Sequence, residues 1–335
     1  MIAFTICANN YLAYALNLSH SFKAHHPDLP FCILLVDTPS EEINYQELDV
    51  DRIMWVGDMD FDLEDLSARY NIAELCTVVK PLVIASLFEQ GFDQVLYLDP
   101  DIQVYSPFEE VLTLLSHNDM IVTPHICSPT PDGVIPQDHT LMRTGVYNMG
   151  FAGFNKTSCM KDFLGWWNQR VQRHGYHDVP RGYFFDQIWI MWAPCFLERL
   201  HVLRHLGYNA ANWNLHERSF LSTTNGGYLI NNEWPLRFFH FSHFKPEKYP
   251  ELASYNRTFN ADNRKDIAGL FQDYMAKLTQ FGHSKFENIP FTYGNTFIDD
   301  AERGKLQAEI QSKRSGRFQR AFYHLKRVLS IMFRG

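Results

Sequence analysis

The sequence predicts an α/β fold in which a mostly parallel sheet is flanked by helices. Two observations lead to this prediction. Short apolar segments alternate with amphipathic ones through the first half of the chain, and one apolar segment ends directly in two acids, Asp99 and Asp101. Alternation of strands and helices is typical of parallel sheets, whose ligands bind outside the carboxyl ends of the strands. With 335 residues, 46% of them hydrophobic, the chain is long enough for one large domain.

The predicted elements follow in chain order. Strands are expected at 2–7, 31–36, 52–56, 94–98, 120–123, 147–154 and 236–241. Helices are expected at 11–25, 77–90, 107–116, 160–173, 184–192 and 262–281. Asn10 is a candidate N-cap for the first helix, and Pro81 falls in the first turn of the second. Four prolines between 124 and 144 exclude regular structure there, leaving a surface loop or a mobile flap.

Bulk properties narrow the class of protein. The net charge of -8 argues against a nucleic acid partner, because that binding requires a basic face. Six dispersed cysteines without a C-x-x-C pair favour reduced thiols in the cytoplasm. No Lys or Arg precedes Lys23, so no signal peptide is expected. No apolar run reaches the roughly 18 residues that a membrane-spanning helix needs.

The acidic pair is the strongest local signal. Side chains at i and i+2 of an extended backbone point to the same side, about 6–7 Å apart, and Pro100 excludes a helix. A buried carboxylate needs a partner for its charge. Two hard oxygen donors at the end of a strand therefore predict a Mg²⁺ or Mn²⁺ site that also binds a diphosphate. A pair of solvated acids in a turn is the alternative.

Two segments carry polar groups next to predicted strands. Asn10 and Tyr11 follow the first strand, where an amide can read a base and a phenol ring can stack on it. A helix cap beside a core tyrosine is the alternative. Asn148 and Gly150 interrupt an otherwise apolar strand, and a glycine there indicates either close approach of a ligand or a β-bulge.

Two later segments add further candidates. Asp186 and Gln187 form an adjacent acid and amide among aromatic residues, suited to starting a helix or to binding sugar hydroxyls. His240 lies in an apolar strand, where an imidazole is either structural or completes a carboxylate metal site. Lys245 can supply a positive charge to a phosphate.

In order and spacing these segments resemble the GT-A-fold glycosyltransferases, most closely the retaining family 8 galactosyl- and glucosyltransferases. The resemblance spans about residues 1–250 and includes the opening Asn-Tyr-Leu-Ala-Tyr and Ser-Phe-Lys-Ala-His-His-Pro-Asp. It implies a GT-A (Rossmann-like) fold with a C-terminal helical extension. It also implies roles for these residues: Asn10 and Tyr11 at the base, Asp99, Asp101 and His240 on the metal, Asn148 near the sugar, Asp186 and Gln187 beside the donor sugar as catalytic candidates, and Lys80 and Lys245 in donor binding.

The resemblance implies a metal-dependent hexosyltransferase. It would use Mn²⁺ or Mg²⁺ and move a sugar from a nucleoside diphosphate sugar, with a UDP-sugar favoured, to a surface glycan or glycolipid with retention. The chain departs from the family after the first strand, where Ala8 and Asn9 replace an acid, and in the closing motif, where His243 is an alternative metal ligand. A sugar nucleotidyltransferase of the same fold and a non-catalytic, membrane-associated sugar-nucleotide-binding protein are the alternative functions.

The chain is divided into a catalytic domain (1–250), a helical extension (251–312) and a basic amphipathic tail (313–335). The tail contains seven Lys or Arg residues and no acid, with apolar residues at helical spacing. Such a helix lies in the interface of an anionic membrane, and a helix docked on its own domain is the alternative. The tail predicts a cytoplasmic protein held peripherally on the inner face of the membrane, near lipid-linked acceptors.

Overall fold

The computed structural model describes residues 1–224 and 226–293. Its strands are β1 (Ile2–Cys7), β2 (Phe31–Leu35), β3 (Arg52–Trp55), β4 (Gln94–Leu98), β5 (Ile102–Val104), β6 (Met120–Pro124), β7 (Tyr147–Asn155), β8 (His177–Asp178), β9 (Tyr183–Phe184), β10 (Leu200–Val202), β11 (Ala210–Ala211), β12 (Phe220–Ser222), β13 (Tyr228–Ile230), β14 (Trp234–Pro235) and β15 (Phe238–His240). Its α-helices are α1 (Leu12–His25), α2 (Leu63–Arg69), α3 (Ile72–Val78), α4 (Lys80–Glu89), α5 (Glu109–Leu115), α6 (Asp138–Thr144), α7 (Ser158–His174), α8 (Ala193–Phe196), α9 (Lys265–Gln280) and α10 (His283–Phe286).

The central sheet confirms the predicted α/β fold. Its order is β10-β6-β7-β4-β1-β2-β3, and every neighbouring pair is parallel except the two that involve β7. Alternate side chains of β1 enter different cores. Phe4 packs with residues of α4 and α7, whereas Ala3 packs with residues of α1 and α5. The sheet is therefore covered by helices on both faces.

A second, three-stranded sheet of order β11-β15-β5 lies beyond the end of β4. In it β15 runs antiparallel to β5, with His240 opposite Ile102. Helix α9 covers this sheet, and Tyr274 stacks on Phe241 with ring centroids 3.6 Å apart. Further along, the Thr292 amide donates to Asp37 beside the end of β1. The described part of the C-terminal extension thus packs directly on the α/β unit.

Some predicted elements differ in detail. The helix predicted over 77–90 is α4, which begins at Lys80 and has Pro81 in its first turn as predicted, whereas residues 77 and 78 belong to the end of α3. The predicted Asn10 cap is wrong, since Asn9–Tyr11 form a 3-10 turn before α1. The helix predicted over 184–192 is the end of β9 followed by a 3-10 helix. Helix α6 begins just after the proline cluster, in a stretch predicted to be irregular.

The basic tail predicted over 313–335 lies outside the described residues. Within the ranges 1–224 and 226–293, no helix has the length and apolar character to cross a membrane.

Candidate metal centre and its two cavities

The acidic pair lies where the chain passes from one sheet to the other. Strand β4 ends before Asp99 and β5 begins after Asp101, and a turn between them is closed by a hydrogen bond of 3.1 Å from the Ile102 amide to the Asp99 carbonyl. The prediction of extended backbone through the pair is therefore wrong. Because His240 faces Ile102 across the β15–β5 ladder, the imidazole lies beside the turn.

The three side chains converge. His240 Nε2 lies 3.0 Å from Asp101 Oδ1 and 3.6 Å from Asp99 Oδ2. One ligand atom from each residue lies within 4.8 Å of the other two. The imidazole is 3% exposed, whereas the carboxylates of Asp99 and Asp101 are 30% and 14% exposed. Two hard oxygen donors and one imidazole on an open side fit Mn²⁺ or Mg²⁺. His243, the alternative ligand, is not in this group and adopts a φ of 57°.

Electrostatic coupling links the protonation states of the three residues. Burial raises the pKa of Asp99, and the neighbouring Asp101 adds to the rise. Burial also opposes ionisation of Asp101, but His240 outweighs it and lowers the pKa of that carboxyl. In turn Asp101 overcomes burial and raises the pKa of His240. Because a divalent cation would compete with this proton, metal binding is expected to weaken as pH falls.

Asn148 determines which ring nitrogen of His240 is available. Its Oδ1 accepts from the Gly150 amide at 3.2 Å, and that contact identifies the oxygen, since a backbone N–H can only donate. The same oxygen lies 3.3 Å from His240 Nδ1. Nδ1 must therefore carry a proton, so it is Nε2, the nitrogen that faces the carboxylates, whose proton a metal ion would displace. The Asn148 amide nitrogen lies 3.4 Å from His125 Nε2 and 3.5 Å from Gln187 Oε1.

Gly150 provides the space for the imidazole. A Cβ at this position would lie 2.3 Å from His240 Cε1 and 2.7 Å from its Nδ1. The β6–β7 register also shifts between Val122 and Thr123, so a bulge is present as well. The close approach suggested by this glycine is thus made by a protein side chain.

A buried ion pair lies on the other side of Asp99. Lys80 Nζ is 2.7 Å from Asp186 Oδ2, and both side chains are at most 3% exposed. The ammonium also donates to the Met149 carbonyl and lies 3.9 Å from the centroid of the Tyr97 ring. The Tyr97 hydroxyl donates to Asp99 Oδ1. A continuous set of contacts therefore runs from Asp186 through Lys80 and Tyr97 to the candidate metal ligand.

Gln187 is held at both ends of its amide. Its Oε1 accepts from the Met149 amide at 2.8 Å, and its Nε2 donates to the Thr144 carbonyl at 2.8 Å. The residue is 6% exposed. These bonds fix Gln187 against β7, next to Asn148.

Two cavities meet at the metal centre. We call the first, of about 450 Å³, the apolar cavity; its lining includes Asp186, Gln187, Asn148, His125 and Trp213. The second, of about 380 Å³, is the charged cavity; its lining includes Tyr11, Tyr14, Lys245, Glu247, His283 and Glu287. Asp99, His240, Ser242 and His243 line both. Asp99 and His240 thus border both cavities and Asp101 borders the charged one, which puts the candidate metal centre at the junction of two spaces of different character.

The remaining predicted site residues occupy different surroundings. Tyr11 lines the charged cavity, with one face of its ring stacked on Tyr14 at 4.1 Å. Lys245 is exposed at the rim of the same cavity. Lys80 lines the apolar cavity with its charge already paired to Asp186. Asn10 lines neither cavity, and its buried Oδ1 has no hydrogen-bond partner among the described residues.

Sequence reasoning did not single out four residues that the fold brings to this region. Tyr97 had a readable signal, since it is an aromatic residue two positions before an acid at the end of a strand. His125 packs edge-on against Trp213 and is 6% exposed, and burial lowers its pKa to about 4. His283 and Glu287 arrive from the C-terminal extension, and nothing in their local sequence points to the metal centre.

No family model matches the chain. Two curated Bacillus subtilis (strain 168) proteins, each named only as uncharacterized, are similar to it. YfnF is 24% identical over 289 residues, which cover 82% of this chain and 92% of YfnF. YfnD is 24% identical over 291 residues, which cover 83% of this chain and 88% of YfnD.

Two solved structures are similar in fold. One is the galactosyltransferase LgtC in complex with donor and acceptor sugar analogs, 18% identical with a TM-score of 0.46, covering 87% of this chain and 98% of LgtC. The other is the apo form of the glycosyltransferase GlyE from Streptococcus pneumoniae, 16% identical with a TM-score of 0.49, covering 87% of this chain and 65% of that one. Likeness at this level concerns the fold alone, so the chemistry has to be argued from the site.

Proposed function

We propose that this protein is a metal-dependent glycosyltransferase of the GT-A type that uses a nucleoside diphosphate sugar. The observation that supports this most is the position of Asp99, Asp101 and His240 at the junction of the two cavities. A nucleoside diphosphate sugar has a nucleotide on one side of its diphosphate and a sugar on the other. The charged cavity suits the nucleotide, and the apolar cavity, with its few fixed polar groups, suits the sugar and the acceptor.

Asp99, Asp101 and His240 would hold the cation. Such a cation would supply positive charge that stabilises the negative charge developing on the leaving diphosphate. Lys245 adds a mobile positive charge at the rim. Asn148 holds the imidazole in the metal-binding tautomer, and Tyr97 orients Asp99.

Asp186 and Gln187 would position the donor sugar. Both are buried at the floor of the apolar cavity, one paired with Lys80 and the other bonded to the backbone. The bonds at both ends of the Gln187 amide favour orienting sugar hydroxyls over nucleophilic attack, which would require this side chain to leave its partners. Retention, which the family resemblance implies, would then proceed by attack of the acceptor hydroxyl on the same face of the sugar that the diphosphate leaves. A UDP-sugar donor and a surface glycan or glycolipid acceptor complete the proposal.

Release of nucleoside diphosphate from a panel of sugar donors, measured with and without Mn²⁺, tests the function. We expect turnover that requires the ion and falls at least 100-fold in Asp101→Asn, which removes a charged ligand but keeps the size of the side chain. Asp162→Asn, on the exposed face of α7, is the matched control and should behave as wild type. Metal-dependent turnover that survives Asp101→Asn would exclude the proposed ligand set.

We also propose that the tail over 313–335 attaches the enzyme to anionic membranes. Its support is the sequence pattern of seven positive charges, no acid and apolar residues at helical spacing. Deletion of 313–335 should move the protein from the membrane fraction to the soluble fraction while leaving turnover on a soluble acceptor unchanged. Unaltered fractionation would refute the attachment.

A further inference from the structure

The outer part of the charged cavity contains a row of three polar side chains from two distant parts of the chain. The Tyr14 hydroxyl in α1 lies 3.0 Å from His283 Nε2. His283 Nδ1 in turn lies 3.6 Å from Glu287 Oε2, just beyond direct hydrogen-bonding distance. All three side chains line the cavity that contains Asp99 and Asp101.

The contacts within this row indicate which of its atoms carry protons. Burial raises the pKa of Tyr14, so the phenol keeps its proton and can donate it to His283 Nε2. His283 Nδ1 then carries the other proton and faces the Glu287 carboxylate. Glu287 is half exposed, at 45%, and its other oxygen, Oε1, meets no donor among the described residues. Glu287 therefore lies beside the imidazole with a carboxylate that can accept hydrogen bonds from a ligand.

The polar groups of the charged cavity correspond one to one with the parts of a nucleotide. The candidate metal ligands and Lys245 suit a diphosphate, and the Tyr11 ring, which lines the cavity, suits a base. A carboxylate without its proton can only accept hydrogen bonds, so Glu287 suits a ligand group that offers hydrogen-bond donors, such as hydroxyls. Ribose offers two adjacent hydroxyls and is joined directly to the diphosphate. Carboxylate binding of ribose hydroxyls is a known solution in nucleotide sites.

We infer that Glu287, which lies beside His283 in the charged cavity, binds the ribose hydroxyls of the donor nucleotide, so that the C-terminal extension completes the nucleotide site. This inference rests on the proposed function, because it takes a nucleoside diphosphate as the ligand. Glu287, the C-cap of α10, would then contribute to ligand specificity, and the C-terminal extension would be part of the catalytic unit.

Calorimetric titration of the full-length protein with UDP and with 2′,3′-dideoxy-UDP, both in Mn²⁺, tests the inference. In wild type the loss of both hydroxyls should weaken binding about 10- to 100-fold, as expected for hydrogen bonds to a charged group. In Glu287→Ala the ratio of the two dissociation constants should fall below about threefold. Glu287 is half exposed near the end of the described chain, so its removal should leave the fold intact, which a thermal melt confirms.

Glu247→Gln is the matched comparison, since Glu247 is the other carboxylate outside the metal cluster that lines the charged cavity. It should leave the ratio at its wild-type value, whatever its effect on total affinity. A wild-type ratio in Glu287→Ala, or loss of the ratio in Glu247→Gln instead, would overturn the inference while UDP binding persists. Failure of wild type to bind UDP, ADP or GDP with Mn²⁺ would overturn the proposed function itself, and the inference with it.

Discussion

Substitution of Gly150 by alanine should separate metal binding from folding. The new Cβ would lie 2.3 Å from His240 Cε1, and ordinary contact begins at 3.4 Å, so the ring must move by about 1 Å. The Cβ would also lie 2.8 Å from Asn148 Oδ1, which removes the room needed to keep the imidazole bonded to the amide. Metal–ligand distances tolerate only about 0.2 Å, so His240 should be lost as a ligand.

The expected effect on Mn²⁺ binding is a loss of about 100-fold or more, since a misplacement of 1 Å can cost that much. The cost to the free energy of unfolding should be about 1–3 kcal/mol, as for other overpacked sites. Gly153→Ala in the same strand is the control, because its Cβ would meet only Leu115 and Leu96 side-chain atoms at 3.3 Å. Those flexible ends can give way, and they lie away from the metal ligands.

Mn²⁺ affinity by calorimetry and unfolding by denaturant would be measured for both variants. Both should lose some stability, and only Gly150→Ala should lose the metal. If Gly150→Ala binds Mn²⁺ within threefold of wild type, the imidazole is either not a ligand or not held where the structure has it, and the reasoning fails.

Three further predictions concern the surroundings of the site. Asn148→Leu should lower Mn²⁺ affinity about 10- to 100-fold, because it releases His240. Asn148→Asp can still accept a hydrogen bond from His240 Nδ1 and should retain most of the affinity. Equal Mn²⁺ affinities in the two variants would contradict the role of Asn148 in positioning His240. Lys80→Met should lower the free energy of unfolding by about 3–5 kcal/mol, because it leaves Asp186 buried and unpaired. Adding Asp186→Leu should restore most of that stability without restoring turnover. Denaturant titration checks the stability, and the donor assay checks the turnover. Burial lowers the pKa of His26 to about 4. The free energy of unfolding should therefore fall by up to about 3 kcal/mol as pH falls from 6.5 to 4, because the unfolded chain takes up the proton first. His26→Gln, which can still accept from the Phe108 amide, should flatten that pH dependence; an unchanged slope would assign it to other groups.

Much of the fold could be predicted because local pattern and global structure agree. Strand β1 was predicted with its observed bounds, and the helix predicted over 11–25 differs from α1 by one residue. The alternation of apolar residues and the choice of turn residues are short-range properties, so the sequence alone is enough to predict the elements that depend on them. Errors came where one segment changes structure within a few residues, as at Phe184, where β9 ends before a 3-10 helix begins.

The candidate site was predicted only in part. The sequence singled out Asp99, Asp101 and His240, and the structure brings the three together. It could not decide between His240 and His243, because three residues of spacing reveal nothing about which side chain faces the turn. The β15–β5 register decides this by placing His240 opposite Ile102. The role of Gly150 was equally hidden, since the ring that needs its space comes from another sheet.

The chain's own sequence thus determined the class of fold, the position of the acidic pair and the kinds of ligand atom available. Only the tertiary structure decided the shape of the backbone at Asp99, the tautomer of His240 and the arrival of Glu287 at the same cavity. The physical reason is the distance along the chain over which each kind of interaction acts. Hydrophobic period and turn preference act over a few neighbours, whereas a binding site depends on contacts between residues far apart along the chain, which strand register and helix docking alone establish.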